Sequence, residues 1–232
     1  GSGDCRKPVE AGGTMCPSYR ATKNEKDTTR ARANTLREFL TNSKEANKFN
    51  HEELKEVFDL CLSCKACASE CPSNVDIATM KAEFLYQYQE ANGYSFRNKL
   101  FANNAKYNKL GSYLPRITNF FTNSILAKKV LGVAVERSVP KLANQTLKSW
   151  LKKHHSRTSK KVVYLFNDEF TNFYDAEIGK DAVVLLEKLG YQVKTIAHDE
   201  SGRSHISKGF LKEAKEICNN NDYEYKKDTL YT

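Results

Sequence analysis

Four cysteines stand within eleven residues, at Cys61, Cys64, Cys67 and Cys71, and Pro72 follows the last of them. The spacing Cys-x2-Cys-x2-Cys-x3-Cys-Pro is typical of segments that hold iron–sulfur clusters in bacterial ferredoxins. The first three thiols of such a run surround one cluster, and the fourth typically binds a second one. Because proline biases the preceding residue toward an extended backbone, we expect the Cys71 sulfur to point away from the others. The run therefore predicts iron–sulfur ligation, and with it electron transfer.

Zinc and disulfide bonds are the alternative uses of such a run. Structural zinc sites prefer two cysteine pairs separated by about 15–20 residues. A disulfide framework requires an oxidising compartment, and no signal-peptide pattern precedes these cysteines. We keep as the alternative function a structural zinc- or cluster-bearing interaction module without a redox role. The cysteine usage leads us to expect a cytoplasmic protein, because cluster ligands must stay reduced.

Counting the cysteines suggests a first ligand set. A cubane cluster needs one thiolate more than Cys61, Cys64 and Cys67 supply. Cys16 is followed by Pro17 and so repeats the Cys-Pro signature that ends the run. The economical scheme assigns one 4Fe–4S cluster to Cys16, Cys61, Cys64 and Cys67.

A second cluster follows from the cysteines that remain. Cys71 and Cys5 are assigned to it, and two thiols are too few for a cubane. The sequence opens on Gly1 without an initiator Met, so we expect further ligands to lie upstream. Cys218 lies far along the chain in a polar tail and is interpreted as a free thiol.

Capping residues and helical periodicity place the cysteine run between helices. Residues 1–26 are rich in glycine and predict a loop. Thr28 or Thr29 is predicted to cap a helix over 30–40, and Asn50 a helix over 51–60. Asn74 is predicted to cap a third helix over 75–90, which ends at Gly93. Helices on both sides of the run predict a helical ferredoxin domain over 1–95. Bases near the ligands in sequence would stabilise a reduced, anionic cluster: Arg6, Lys7, Arg20, Arg30, Arg32 and Lys65.

Positive charge is concentrated in the middle of the chain. Residues 97–161 hold fifteen of the 37 bases and one of the 28 acids, although the net charge is only +9. This asymmetry indicates either an anionic partner or a solvated helical surface. Nucleic acid is the least favoured partner, because no recognition motif accompanies the bases. A lipid surface is kept as a candidate partner of the protein, which would then be peripheral to the inner face of the membrane.

The same region, a basic helical extension over 96–151, carries an apolar pattern broken at Gly111, Pro115 and Pro140. Its apolar residues are Leu114, Ile117, Phe120, Phe121, Ile125 and Leu126, flanked by Arg116, Lys128 and Lys129. We favour packing of this face onto the rest of the domain over a membrane-surface helix. No apolar run approaches the roughly 18–20 residues of a membrane span.

Beyond a polar linker at 152–161 the hydrophobic period changes. Val162–Phe166 predicts a strand, 178–189 a helix that Gly190 ends, and 191–196 a second strand. A further helix is predicted over 207–217, whereas the tail after Cys218 shows no pattern. Two strands make an incomplete parallel sheet, so 162–232 is interpreted as part of an α/β domain.

Several motifs resemble one family of fused flavoproteins. They are Gly1-Ser2-Gly3-Asp4-Cys5-Arg6-Lys7, Met15-Cys16-Pro17-Ser18-Tyr19-Arg20-Ala21-Thr22, Thr29-Arg30-Ala31-Arg32-Ala33-Asn34, and the run from Cys61 to Asp76. They resemble FAD-linked oxidases joined to an iron–sulfur oxidoreductase, related to glycolate oxidase and to D-lactate and D-2-hydroxyglutarate dehydrogenases. The resemblance covers residues 1 to about 215 and is most specific over 1–85.

The resemblance implies a mainly α chain, with a helical ferredoxin domain followed by a partial α/β domain of the cysteine-rich CCG type. It also implies FAD on an upstream domain or partner subunit, and a quinone or other carrier as electron acceptor. Another cysteine is implied just before Gly1, which raises the second cluster to three thiols. A second 4Fe–4S cluster, a 3Fe–4S cluster and a non-cysteine ligand therefore stay open.

The α/β part departs from the family pattern. Asn167-Asp168 and Glu200-Ser201-Gly202-Arg203 stand where cysteines are expected, so we expect no thiolate-bound group there. No flavin fingerprint, nucleotide loop or acid–base pair occurs in the sequence. We therefore assign no catalytic residue and expect the chain alone to lack dehydrogenase activity.

Overall fold

A computed structural model describes residues 2–156 and 158–229, with no side-chain description at 225 and 227–229. Gly1, Arg157 and 230–232, assigned from sequence to the N-terminal loop, the linker and the last domain, lie outside the described residues. The described chain is mostly helical and carries one small parallel sheet, which confirms the predicted fold class. The elements are α1 Pro17–Thr22, α2 Thr29–Asn42, α3 Glu52–Asp59, α4 Ala66–Glu70, α5 Ile77–Asn92, α6 Phe96–Ala102, α7 Asn104–Gly111, α8 Pro115–Thr122, α9 Ile125–Leu131, α10 Leu147–Leu151, β1 Val162–Tyr164, α11 Glu169–Phe173, α12 Ala176–Lys188, β2 Gln192–Lys194, α13 Arg203–Ser207 and α14 Leu211–Thr229.

The chain divides into two compact units. The first contains the described residues of Gly1–Ala102 together with His205–Leu211, and the second those of Asn103–Ser204 and Lys212–Thr232. The boundaries drawn from sequence at 1–95, 96–151, 152–161 and 162–232 stay predictions.

The core of the first unit lies between α3 and α5. Leu54, Phe58 and Phe84 are fully buried, and the rings of Phe58 and Phe84 stack with centroids 5.3 Å apart. The buried cysteines of this unit belong to the same apolar cluster. Helical spacing in the sequence predicts an apolar face made of Leu54, Val57, Phe58, Ile77, Met80, Phe84 and Tyr88. All of these are buried or half-buried except Met80, which is exposed.

The predicted caps are right for α2 and wrong for α3 and α5. Thr28 caps α2, since its side chain accepts a hydrogen bond from the Ala31 N–H. His51, and not Asn50, precedes α3, and it makes no side-chain cap. Asp76 caps α5 by accepting from the Thr79 N–H, while Asn74 adopts a positive φ of 52° in the preceding turn. The predicted loop over 1–26 also contains α1 and short 3-10 helices.

Gly209 is required where the segment His205–Leu211 packs against α5. Its φ is +73°, and a Cβ there would lie 2.7 Å from the Leu85 Cβ. The Gln89 side chain donates to the Lys208 carbonyl at 2.8 Å. This turn separates α13 from α14, so the helix predicted over 207–217 is present but begins only at Leu211 and continues beyond 217. The tail predicted to lack a pattern is also helical, because α14 continues to Thr229.

The second unit contains the parallel pair β1 and β2, in register at Val163 and Val193. Both strands are predicted correctly in place and are shorter than expected. Helix α12 lies beside them, with Val183 fully buried. Gly179 of the same helix has no room for a side chain, since a Cβ there would overlap the buried Leu147.

The packing expected for the apolar residues around α8 is wrong. Leu114, Phe120 and Leu126 are among its members, and every one of the six named from sequence is exposed. Within the described residues, no helix is both long and apolar enough to cross a membrane.

Candidate metal centre

Four cysteines of the first unit line one pocket. Cys16 lies immediately before α1, Cys61 and Cys64 lie in the loop between α3 and α4, and Cys67 lies in α4. These are the four residues assigned from sequence to a single cluster. In the part of the chain that the structure describes, no three Cys, His, Asp or Glu side chains are grouped so that they could hold one metal ion. The ligand assignments themselves stay predictions.

The two buried pocket sulfurs lie at the N-termini of helices. The Thr29 N–H donates to the Cys16 Sγ at 3.0 Å, and the Thr29 hydroxyl lies 2.9 Å from the same sulfur. The Ile77 N–H donates to the Cys67 Sγ at 3.3 Å. Thr29 and Ile77 are the first residues of α2 and α5, where the helix dipole favours negative charge. The N–H groups and helix ends favour the thiolate, the form in which cysteine binds metal, and so oppose the effect of burial.

Burial and hydrogen bonding act on these thiols in opposite directions. Burial raises the pKa of the Cys16 thiol, and the hydrogen bonds from Thr29 partly offset that rise. Burial likewise raises the pKa of the Cys67 thiol, opposed by the backbone N–H groups of Ile77 and Ala78. Both thiols therefore favour the neutral form when nothing else compensates the charge. A cationic occupant of the pocket would supply that compensation.

The backbone around the pocket is bent in an unusual way. Cys16, Ser63 and Lys65 adopt positive φ angles of 54°, 53° and 60°. Each such conformation costs about 1–2 kcal/mol for a residue with a Cβ and persists only where the surroundings enforce it. The Lys65 ammonium donates to Asp76 at 3.0 Å and so ties this loop to the start of α5. Lys81 donates to the Cys61 carbonyl at 2.6 Å and holds the other end of the loop.

Arg32 is a buried cation in the wall of the pocket. It is 2% exposed, and its Nε and Nη1 donate to the Val57 carbonyl and the Ser18 hydroxyl, both at 3.0 Å. Its Nη2 lies 3.6 Å from the Asp27 carboxylate and, among the described residues, has no hydrogen-bond partner. An orphaned cationic N–H beside four cysteines suits a group that is anionic overall, as a cluster with four thiolates is. The residues present therefore fit a 4Fe–4S cluster.

The two remaining predicted ligands lie outside that pocket. Cys5 is buried within a 3-10 helix, Asp4–Arg6, and Cys71 is half-buried at the end of α4. Cys5 lies near enough to Cys16 for the two charges to repel, which raises the pKa of Cys16. Both residues belong to the core cluster of the first unit, and neither lines the pocket of the other four. Their assignment to a second cluster stays a prediction.

Glu70 brings the two Cys-Pro motifs together. It immediately precedes Cys71, and its carboxylate accepts from the backbone N–H groups of Thr14 and Met15 at 2.8 and 2.9 Å. Met15 in turn immediately precedes Cys16. The Thr14 hydroxyl and these N–H groups lower the pKa of Glu70, so the carboxylate stays ionised and keeps the contact. Spacing alone did not reveal this link, since 56 residues separate Thr14 from Glu70.

The positions where the family would carry cysteines in the second unit are occupied by an internal polar network. The Ser201 N–H and hydroxyl both donate to Glu169 at 2.8 Å, and Arg203 pairs with Asp168. The buried Glu169 lies near Glu200, and burial together with that repulsion raises the pKa of Glu200 to about 7. The bonds of Ser201 and Arg203 to Glu169 and Asp168 join the two segments, which gives them a structural role. Cys218 is exposed on α14 as a free thiol.

Comparison with known proteins supports the cysteine chemistry. Residues 1–76 match the family model described as a 4Fe-4S dicluster domain. D-2-hydroxyglutarate dehydrogenase of Escherichia coli (strain K12) is 30% identical, over 91% of this chain and 25% of that protein. The enzymes of the same name from Pantoea ananatis and Haemophilus influenzae are 28% and 25% identical, over 91% and 89% of this chain and 25% and 24% of theirs.

The chain thus spans about a quarter of the length of the curated relatives it matches. No solved structure gives a significant match. Residues 1–76 are thus similar to 4Fe-4S dicluster domains, and most of the chain is similar in sequence to part of the D-2-hydroxyglutarate dehydrogenases.

Proposed function

We propose that this chain is the electron-transfer module of a flavin-dependent 2-hydroxy-acid dehydrogenase. The observation that carries the proposal is the pocket that Cys16, Cys61, Cys64 and Cys67 line, with N–H groups donating to its two buried sulfurs. The match to a 4Fe-4S dicluster domain favours iron–sulfur chemistry over the zinc alternative.

The proposed ligand sets are those expected from the sequence. One 4Fe–4S cluster is held by Cys16, Cys61, Cys64 and Cys67. Cys5 and Cys71 serve a second cluster, of the 4Fe–4S or 3Fe–4S type, whose other ligands lie outside this sequence or are not cysteines. Bound in these sites, the clusters would accept and release electrons one at a time.

The chain's own residues would set the environment of the first site. The N–H groups of Thr29 and Ile77 stabilise thiolates, and hydrogen bonds to sulfur are one of the factors that determine a cluster's potential. Ile77, almost fully buried, excludes water from the inner wall. Leu62 and Cys64 are exposed and form the outer rim. We propose this rim as the side that a redox partner approaches.

The partners of the electron transfer belong to the whole protein. We propose that the whole protein oxidises a 2-hydroxy acid, as the names of the relatives suggest. The FAD that would do so, on an upstream domain or a partner subunit, is proposed from the family resemblance of the sequence. The electrons would pass through this chain to a quinone or another carrier. We place the protein in the cytoplasm, peripheral to the inner face of the membrane.

Metal and sulfide analysis of anaerobically purified protein tests the proposal, together with EPR of the dithionite-reduced sample. About four irons and a 4Fe–4S signal support the four-cysteine site, and seven or eight indicate that both clusters form. Cys16→Ser should lose the first cluster, while Cys218→Ser, a matched control at an exposed thiol, should keep it. Zinc without iron overturns the proposal in favour of a structural interaction module.

A further inference from the structure

Helix α8 turns its uncharged polar side chains toward the protein and its apolar side chains toward solvent. The Asn119 amide donates to the Leu142 carbonyl at 2.9 Å and accepts from the Leu142 N–H at 2.7 Å. The Asn123 amide makes the same pair of bonds with Val139, accepting at 2.9 Å and donating at 3.3 Å. Thr118 adds a hydrogen bond to the Gly111 carbonyl at 3.0 Å.

These bonds fix the rotation of the helix. Asn119 and Asn123 are one turn apart, so together they hold one side of α8 against the segment that contains Val139 and Leu142. Turning the apolar side inward would break four side-chain to backbone bonds and leave the backbone groups of that segment without partners. The outward apolar side is therefore a built feature of this unit.

The exposed residues continue onto the neighbouring helices and form what we call the apolar face. Each of its side chains is between 53% and 75% exposed. Its members are Leu110, Tyr113, Leu114, Ile117, Phe120, Phe121, Ile125, Leu126 and Val130. A stable soluble surface rarely exposes so many large apolar groups together, and such patches mark sites of association.

Charge around the apolar face has one sign. Residues 104–131 contain five bases and no acid. Lys109, Arg116 and Lys129 are exposed on the helices that carry the face. Large aromatic and aliphatic groups surrounded by bases form the pattern of segments that lie in the interface of an anionic membrane. A protein partner would have to supply acids to match these bases, whereas an anionic bilayer supplies both negative charge and an apolar interior.

We propose that the apolar face binds an anionic lipid surface, with α8 and α9 lying in its plane. The inference does not depend on the clusters, because every residue in it belongs to the second unit. It assigns a docking function to the basic middle of the chain and would hold the protein at the bilayer.

Vesicle co-sedimentation of the full 232-residue chain tests the proposal. Binding is expected to vesicles of phosphatidylglycerol with phosphatidylcholine at low salt, with weaker binding at high salt. Little binding is expected to phosphatidylcholine alone, because the bases then lose their counter-charge. The double variant F120S/F121S should bind at least roughly tenfold more weakly than the parent, since two large aromatic groups no longer enter the interface.

Matched variants separate the apolar face from general stickiness and charge. I178S/L185S removes two exposed apolar residues of α12 and should bind like the parent. K109E/R116E/K129E should lose most binding, whereas K148E/K153E/K160E, also at exposed bases, should lose less. Circular dichroism checks that each variant is folded.

A fluorescent probe gives a second, independent measurement. F121W places an indole on the apolar face, in addition to the native Trp150. Brominated lipids should therefore quench the tryptophan fluorescence of F121W more than that of the parent, which has Trp150 alone. Absence of binding to every vesicle, or equal binding by F120S/F121S and the parent, overturns the proposal. So does a homodimer, measured by light scattering, that F120S/F121S dissociates, since the face would then be an interface between copies of this chain.

Discussion

Arg32 and Asp27 form an ion pair from which water is almost completely excluded. Their side chains are 3% and 2% exposed, and the closest N–O distance is 3.6 Å. The Asp27 carboxylate also accepts from the Thr22 hydroxyl at 2.6 Å, and Arg32 donates to the Asp27 carbonyl at 2.7 Å. Removing one partner of such a pair leaves a buried charge without its counter-charge, which costs about 3–5 kcal/mol.

Arg32→Gln should therefore lower the free energy of unfolding by about 3–5 kcal/mol. Arg30→Gln is the matched control, because Arg30 lies on the same helix and pairs with Glu25 at a site where both side chains are at least 40% exposed. That exposed pair should contribute only about 0.2–1 kcal/mol. Urea unfolding followed by circular dichroism, on protein with matched metal content, measures both values.

A double variant tests the reason and not only the magnitude. Asp27→Asn combined with Arg32→Gln removes both buried charges, so its cost should be smaller than the sum of the two single costs by about 1–3 kcal/mol. Equal destabilisation by R32Q and R30Q would refute the argument that burial makes the Arg32 pair strong. Strict additivity of the two single variants would show that the charges do not interact.

Other predictions concern the cluster, a raised pKa and a close backbone contact. C16S should lower iron by about four atoms per chain, measured by metal analysis, while C218S should not change it. Because the pKa of Glu200 is raised from 4.5 to about 7, stability should fall as pH rises through this range, by about 1 kcal/mol after solvent screening, and E200Q should abolish that fall in urea titrations. Gly93→Ala, at φ 82° and ψ 163° in open space, should cost about 1–3 kcal/mol from its backbone conformation alone. Gly209→Ala should cost about 1–3 kcal/mol more than that in the same assay, since its Cβ would also meet Leu85.

The sequence predicts best those features that local chemistry determines. Cysteine spacing and the Cys-Pro signature are local, and they select the same four cysteines that line the pocket. The helical periods around Phe58 and Phe84 likewise identify the core correctly. The cap of α2 follows from the short Thr28 side chain at a helix start.

Features that depend on contacts between distant segments could not be read from the sequence. Arg32 was one of six bases near the ligands, and only its burial distinguishes it from the exposed Arg30. Glu70 carries no signal in the sequence, since its role depends on contacts with the distant residues Thr14 and Met15. The length of α14 was missed because the segment after Cys218 is charged and polar and shows no apolar stripe that would mark a helix.

The apolar face shows why amphipathic pattern alone cannot tell what covers a helix. The periodicity of the sequence shows that one side of α8 is apolar and the other polar, and in most proteins the apolar side of such a helix is buried. Here the polar side carries two asparagines whose amides pair with the backbone at Val139 and Leu142, which satisfies groups that water would otherwise have to solvate. The protein is thus the partner of the polar side, and the apolar side must find its partner elsewhere. Since every charge on residues 104–131 is positive, we propose an anionic bilayer as the partner, because it would match both the apolar pattern and the charge.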